Sequence, residues 1–166
     1  HNMLGYARRM EPRLEDVDVN ETVNQTISLL ENYARINNIE IKTRLQADLP
    51  IIASDQSQLQ QVFLNLISNA IDAIGKDGLV EIESRSSDSM INVRITDNGH
   101  GIPRDQQKKV FDPFFTTKQG DKGTGLGLWV TYSIIEKLGG SISLGSRPGT
   151  GTTFTVKIPN ITPEKK

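Results

Sequence analysis

The chain has 166 residues, of which 36% are hydrophobic and 23% charged, with 19 Lys plus Arg against 20 Asp plus Glu and no cysteine. That length fits one compact domain with short attachments, and a net charge of −1 gives neither nucleic acid nor an anionic membrane an electrostatic reason to bind. The lack of cysteine removes disulfides and thiolate-held metal, and no apolar run approaches the roughly 20 residues of a membrane-spanning helix, so no direct membrane insertion by this segment is expected.

In chain order, Met3, Leu4 and Ala7 have helical spacing, and Pro12 ends that helix because the residue before a proline is pushed out of the helical region. The opening reads as the end of a helix whose remainder precedes it. Residues 20–37 carry Val23, Ile27, Leu30 and Ala34 on one helical face. "IEIKTRL" then alternates as a half-buried strand does. From Asp55, an N-cap residue, a long helix carries Leu59, Val62, Phe63, Leu66, Ile67, Ala70, Ile71 and Ile74, and "GKDG" breaks it. "LVEIESRS" and "MINVRITD", separated by "SDS", predict an antiparallel hairpin. A short helix is expected over residues 104–110, a long irregular loop after it, and a helix over 126–138 stopped by Gly139 and Gly140. "SISLGS" and "TFTVKIP" predict a second hairpin. The fold class expected is α+β, a two-layer α/β sandwich with about three helices on one face of a mixed, mostly antiparallel sheet. Residues 1–12 read as helix end and linker, 13–160 as the domain, and 161–166 as a tail.

Three stretches carry residues suited to chemistry. On the helix "NLISNAIDAIGK", Asn65, Asn69, Asp72 and, if the helix extends so far, Lys76 line up opposite the apolar face. Such a stripe is ordinarily a solvated face. Asparagine is, however, a poor helix former that exposed faces seldom favour, and amide oxygens with a carboxylate suit a hard cation such as Mg²⁺. In "ITDNGHGI" a strand ends at Asp97 and runs into Gly99 and Gly101. A plain turn explains the tripeptide; the functional alternative is a carboxylate accepting from an exocyclic amine, with glycines letting a flat ring approach, and His100 as exposed filler. "FDPFFTTKQGDKGTGLGLW" places glycines at 123, 125 and 127 where a helix begins, and amides at a helix start bind phosphate. Neither a P-loop nor a dinucleotide fingerprint is present. "RPGTGTTFTVKIP" adds Thr152 at a strand start.

The order of these elements resembles the catalytic domain of sensor histidine kinases, over roughly residues 17–159: Asn69 in an N-box, Asp97, Gly99 and Gly101 in a first glycine box, Phe111, Phe114 and Phe115 in a phenylalanine box, and Gly123, Gly125 and Gly127 in a second glycine box. "PFFTTK" followed by "GTGLGL" is most like nitrogen-regulatory-type sensor kinases, and "NMLGYARR" is similar to the end of the second dimerisation helix. The resemblance implies the ATP-binding sandwich shared with gyrase, heat-shock and mismatch-repair ATPases, with ATP and Mg²⁺ as cofactors. It implies Asn69 as Mg²⁺ ligand, Asp97 as reader of the adenine amine with Thr152 assisting through water, and Lys118 as a lid cation. The nucleotide site so implied also takes in Asp72, Lys76, Gly99, Gly101, Ile102, Phe111, Phe115, Thr116, Thr117, Gly123, Thr124, Gly125, Leu126, Gly127 and Leu128, with the phenylalanines anchoring a lid whose middle, "TTKQGDKG", is the mobile part.

Asn65 falls where the ATPase relatives carry a water-activating glutamate, and an amide cannot take that proton, so transfer to another acceptor is favoured over hydrolysis. The implied acceptor is a histidine on the dimerisation and phosphoacceptor domain of the same protein, with relay to a response-regulator receiver domain, in a homodimeric parent acting in the cytoplasm. His1 lacks the acceptor motif's following acidic residue, so the chain alone is expected to bind ATP without phosphorylating itself. The rivals are an ATPase of the same superfamily, which calls for a carboxylate at position 65, a serine-directed anti-sigma kinase, and a nucleotide-binding relay without catalysis.

Overall fold

The computed structural model describes residues 12–112 and 127–162. The expected helix end and the final tail lie mostly outside them. The described elements are β1 (Glu15–Val17), α1 (Val19–Ile36), β2 (Ile39–Leu45), β3 (Ile52–Ser54), α2 (Gln56–Ile74), β4 (Gly78–Ser87), β5 (Met90–Asp97), α3 (Gly127–Lys137), β6 (Ser141–Arg147) and β7 (Gly151–Pro159). Five strands form one sheet in the order β2-β4-β5-β7-β6, with β2 parallel to β4 and every other pair antiparallel. The two expected hairpins and the mixed sheet are therefore present.

Side-chain alternation combined with register produces continuous inward rows. Thr43, Ile82, Ile95, Phe154 and Leu144 are successive partners across all five strands, as are Leu45, Ser84, Val93, Val156 and Ile142. Most of these side chains are buried, and the three helices pack on that face. The opposite face is wet: Glu83 stands between Arg44 at 3.4 Å and Arg94 at 3.8 Å, exposed pairs of a kind that add little stability.

Local chemistry fixes the helix ends. Asp18 caps α1 by accepting from the Glu21 amide at 3.2 Å, so the helix begins at Val19, one residue before the expected start. Asp55 caps α2 through Gln58 N–H at 3.0 Å, and its second oxygen accepts from Arg13 N–H at 2.8 Å. That bond ties the chain ahead of β1 to the start of the central helix. β1 and β3 pair antiparallel as a separate two-stranded sheet that the sequence does not announce, because three residues carry too little alternation to read.

One expectation fails and one condition is not met. Residues 104–110 form successive turns, with Gln106 N–H to Pro103 O and Lys109 N–H to Gln106 O both at 2.9 Å, and no helix. Only Val110 of this segment is buried, so no apolar face exists to hold a helix against the domain. Lys76 lies beyond α2, which ends at Ile74 with Gly75 at φ 78°, and so does not continue the helical polar stripe.

The β6–β7 turn is set by two glycines with different constraints. Gly149 has φ +81° and open space where a Cβ would stand; Gly151 has φ +140°, and a Cβ there would lie 1.9 Å from Asp97 O. Gly149→Ala is expected to cost about 1–2 kcal/mol, the left-handed penalty alone. Gly151→Ala should cost at least ~2 kcal/mol more, because backbone must also shift. Urea unfolding of the two variants side by side measures this; equal losses would mean that the contact with Asp97 is not a constraint.

Candidate nucleotide site

The inward row at the end of the sheet that receives the β5–α loop differs from the others. Val80, Asp97, Thr152 and Ser146 are successive partners on β4, β5, β7 and β6, so three polar side chains stand together where the neighbouring rows are mainly aliphatic. Asp97 is 6% exposed and Thr152 4%. Asp97 Oδ1 accepts from Gly99 N–H at 2.8 Å. Burial pushes the Asp97 carboxyl above its usual range, opposed by the Gly99 and Thr152 amides and by the nearby His100. A desolvated carboxylate offers only acceptor sites, and two amides do not fill the roughly four lone-pair positions it has.

The chain leaving Asp97 is held on both sides. Asn98 Oδ1 accepts from Leu79 N–H at 2.9 Å, His100 N–H reaches Ala73 O at 3.3 Å, and Gly149 N–H reaches His100 O at 2.7 Å. The glycines here are already required by the fold itself. A Cβ on Gly99 would lie 2.5 Å from Ala73 O, and one on Gly101, at φ +76°, would lie 2.4 Å from Arg147 O. The protein's own backbone, at the end of α2 and in the β6–β7 turn, requires them. His100 is exposed, as expected of filler, with Nδ1 2.7 Å from Gly101 O.

Two residues that sequence reasoning passed over complete this corner. Ser146 Oγ accepts from Ile102 N–H at 2.7 Å, lies 2.8 Å from Thr152 Oγ1 and donates to Gly151 O at 3.1 Å. Gln107 Nε2 donates to Ile102 O at 2.9 Å and to Ser146 O at 3.2 Å. The signal for Ser146 was present: the alternation Ile142, Leu144, Ser146 puts a hydroxyl in an otherwise apolar inward series. No periodicity marks Gln107.

On α2 the polar stripe is not a solvated face. Asn65 Nδ2 donates to Gly127 O and to Thr131 Oγ1, both at 3.2 Å, and its oxygen accepts from Gln61 Nε2 at 3.0 Å. Asp72 accepts from the Tyr33 hydroxyl of α1, and that bond, more than burial, pushes the Tyr33 pKa up to about 12. One member thus ties α2 to α3 and another ties it to α1, with half-buried Asn69 between them. Across the sheet, Phe111 packs on Tyr132 at 5.7 Å and on Phe154 at 6.1 Å between ring centroids, and Leu128 packs against the core. Phe114, Phe115, Thr116, Thr117, Lys118, Gly123, Thr124, Gly125 and Leu126 lie outside the described residues, as does the segment expected to be mobile.

Residues 54–162 match the family described as histidine kinase-, DNA gyrase B- and HSP90-like ATPase. The sensor histidine kinase ZraS of Escherichia coli K12 is 41% identical over 150 residues, which is 90% of this chain and 32% of that protein. Sporulation kinase A of Bacillus subtilis 168 is 39% identical over 87% of this chain and 24% of its own length. The chain thus spans about a third or less of these curated relatives. Among solved structures, the nucleotide-free catalytic domain of histidine kinase ThkA superposes with a TM-score of 0.82 at 32% identity, covering 90% of this chain and 97% of that one. ThkA in complex with the response regulator TrrA matches at 0.82 and 30%, over 99% of this chain and 46% of that one. Full-length ShkA in complex with AMPPNP matches at 0.82 and 27%, over 92% and 32%. With a family match over more than half its length and a near-complete superposition on a kinase catalytic domain, the chain belongs to the histidine kinase-, DNA gyrase B- and HSP90-like ATPase family and is a histidine kinase catalytic domain.

Proposed function

We propose that this domain binds ATP with its adenine amine on Asp97 and presents the γ-phosphoryl group to a histidine of the dimerisation and phosphoacceptor domain of its own protein, for relay to a response-regulator receiver domain. The carrying observation is the pairing of a buried, under-satisfied carboxylate with Thr152 in one row at the end of the sheet. An amino-purine edge supplies the missing donor, and a polar group left unpaired in a dry site is costly enough to discriminate strongly. The match to a kinase bound to AMPPNP supports a triphosphate ligand, and the match to a kinase bound to a response regulator supports the relay.

The donor set fits Mg²⁺ carried on the nucleotide. Among the described residues no group of three or more His, Asp or Glu side chains stands ready to hold a metal. A cation held largely by phosphates and water asks the protein for little more than one oxygen, which the Asn69 amide offers from the half-buried face of α2. Bound there, Mg²⁺ would neutralise phosphate charge during transfer. Gly127 and Leu128 are the first described residues of α3, and amides at a helix start suit phosphates. Phe111, wedged between α3 and β7, anchors the segment that follows it.

Position 65 favours transfer over hydrolysis. Both ends of the Asn65 amide are engaged with Gln61, Gly127 and Thr131, and an amide accepts no proton from water under these conditions. The rival reading as an ATPase therefore lacks its base at that position.

Three outcomes are expected. Asp97→Asn should weaken ATP binding by roughly 10- to 100-fold in calorimetric titration, since one acceptor oxygen becomes a donor facing an amine; unchanged affinity would remove Asp97 from the site. The pH dependence has a defined sign. The amine needs the ionised carboxylate, and the Asp97 pKa is raised, so affinity should decline on acidification earlier than an ordinary carboxylate would dictate. The same titration with Asp97→Asn should lack that component, leaving only the nucleotide's own titration. With labelled ATP and Mg²⁺, neither His1 nor His100 should acquire acid-labile label, whereas an added dimerisation domain bearing the acceptor histidine should; stable label on this chain alone would contradict the assignment.

A further inference from the structure

Ser146 is not a register partner of Asp97, yet it bonds the hydroxyl side chain that is. A serine oxygen has one proton and two lone pairs. One lone pair takes Ile102 N–H at 2.7 Å. The remaining proton has two possible destinations, Gly151 O at 3.1 Å and Thr152 Oγ1 at 2.8 Å. If it goes to Thr152, Ser146 is left with an empty lone pair and Gly151 O loses this donor, inside a corner where Thr152 is 4% exposed. If it goes to Gly151 O, the second lone pair accepts the Thr152 proton and every valence of Ser146 is used. Ser146 is half-buried and its partner Thr152 buried, and polar groups so withdrawn from water settle in the more fully paired arrangement, because an unpaired one carries a desolvation cost.

The two arrangements present opposite faces to a ligand. In the fully paired one the Thr152 proton is spent on Ser146, so Thr152 can only accept. Beside it Asp97, its register partner, also only accepts. Two acceptors side by side match an exocyclic NH₂, which has two protons to give, directly or through a water. They repel a ring carbonyl at the same position.

We propose that Ser146 is a specificity-determining residue: by holding the Thr152 hydroxyl proton, it turns the Asp97–Thr152 pair into a double acceptor that selects a 6-amino purine over a 6-oxo purine. This rests on the reading that the base lies on Asp97. Gln107 acts differently, since it fixes Ile102 O and Ser146 O, both backbone, and leaves the serine proton alone. Gln107 is a positioning residue for the loop, without a part in choosing the base.

The test is the ratio of dissociation constants for ITP and ATP, which differ at the 6-position, measured by calorimetry with Mg²⁺ on the intact chain. Wild type should prefer ATP. Ser146→Ala frees the Thr152 proton to turn toward the ligand and should cut the preference by about 10-fold, while Ser146→Thr, which keeps the hydroxyl, should restore it. Gln107→Ala should weaken both nucleotides together and leave the ratio within about 2-fold of wild type. A Ser146→Ala protein with a wild-type ratio overturns the proposal, as does an equal loss of preference in Gln107→Ala, which would assign selectivity to loop position. Should Ser146→Ala fail to fold, Thr152→Val removes the same acceptor with similar volume, and an undiminished ratio there overturns the proposal equally. Asp97→Asn separates the two levels: unchanged ATP affinity in that variant sinks the reading of the site, whereas weakened ATP binding with an unmoved Ser146→Ala ratio sinks this inference alone.

Discussion

Burying the Asp97 carboxylate at the end of a sheet is the constraint to which the surrounding structure answers. Charge removed from water is strongly disfavoured unless hydrogen bonds replace the lost solvation, and among the described residues the backbone amides of Gly99 and Thr152 do so. Those amides must be brought in close. The loop therefore folds tightly back on β5, and the β6–β7 turn presses against it until a Cβ at Gly151 would stand 1.9 Å from Asp97 O. The glycines at 99, 101 and 151 are consequences of that crowding. What is left incomplete is the set of donors around the carboxylate, and on the proposed reading an incomplete set in a dry corner makes a selective acceptor for an amine.

The same corner is rigid for reasons that come from several elements at once. Asn98 binds Leu79 on β4, His100 binds Ala73 at the end of α2, and Ile102 is clamped by Ser146 and Gln107. A six-residue excursion from a strand end thereby acquires anchors on both sides of the sheet's central strands. Pre-organisation of this kind keeps acceptor groups aimed without any ordering cost at the moment of binding. By contrast the helix side of the site is assembled from side chains, with Asn65 reaching α3 and Asp72 held by Tyr33, so its geometry depends on how three helices sit together.

What was legible in the sequence follows the length scale of each signal. The seven-residue alternation of β2 and the eight apolar positions of α2 gave strands and a central helix with little error, because long periodic patterns have few competing readings. Asp97 was visible as a strand-terminal carboxylate, and its row partner Thr152 as a hydroxyl at a strand start. β1 and β3 were not, being three residues each and paired across 35 positions or more. The segment 104–110 has the composition of a helix but lacks a face to bury, so propensity alone misleads there. Glycine positions were visible but the backbone crowding behind them was not, since spacing shows where a side chain is forbidden but not which neighbour forbids it. For Ser146 the alternation of β6 shows an inward hydroxyl, but not its register with Thr152 on β7, which is where its importance lies.

Asn65 shows how one amide serves architecture and chemistry together. Its oxygen takes Gln61 and its nitrogen spans to Gly127 and Thr131, so it joins the central helix to the start of α3. A carboxylate at that position would have acceptors only, and the Gly127 carbonyl, also an acceptor, would repel it. The amide that holds α3 in place is therefore also the group that withholds a base from water. On the proposed reading, the lack of a carboxylate at 65 leaves the phosphoryl group for an acceptor that arrives from elsewhere. Structural tethering and chemical restraint thus come from one choice of residue, and neither follows from the helical pattern that places it.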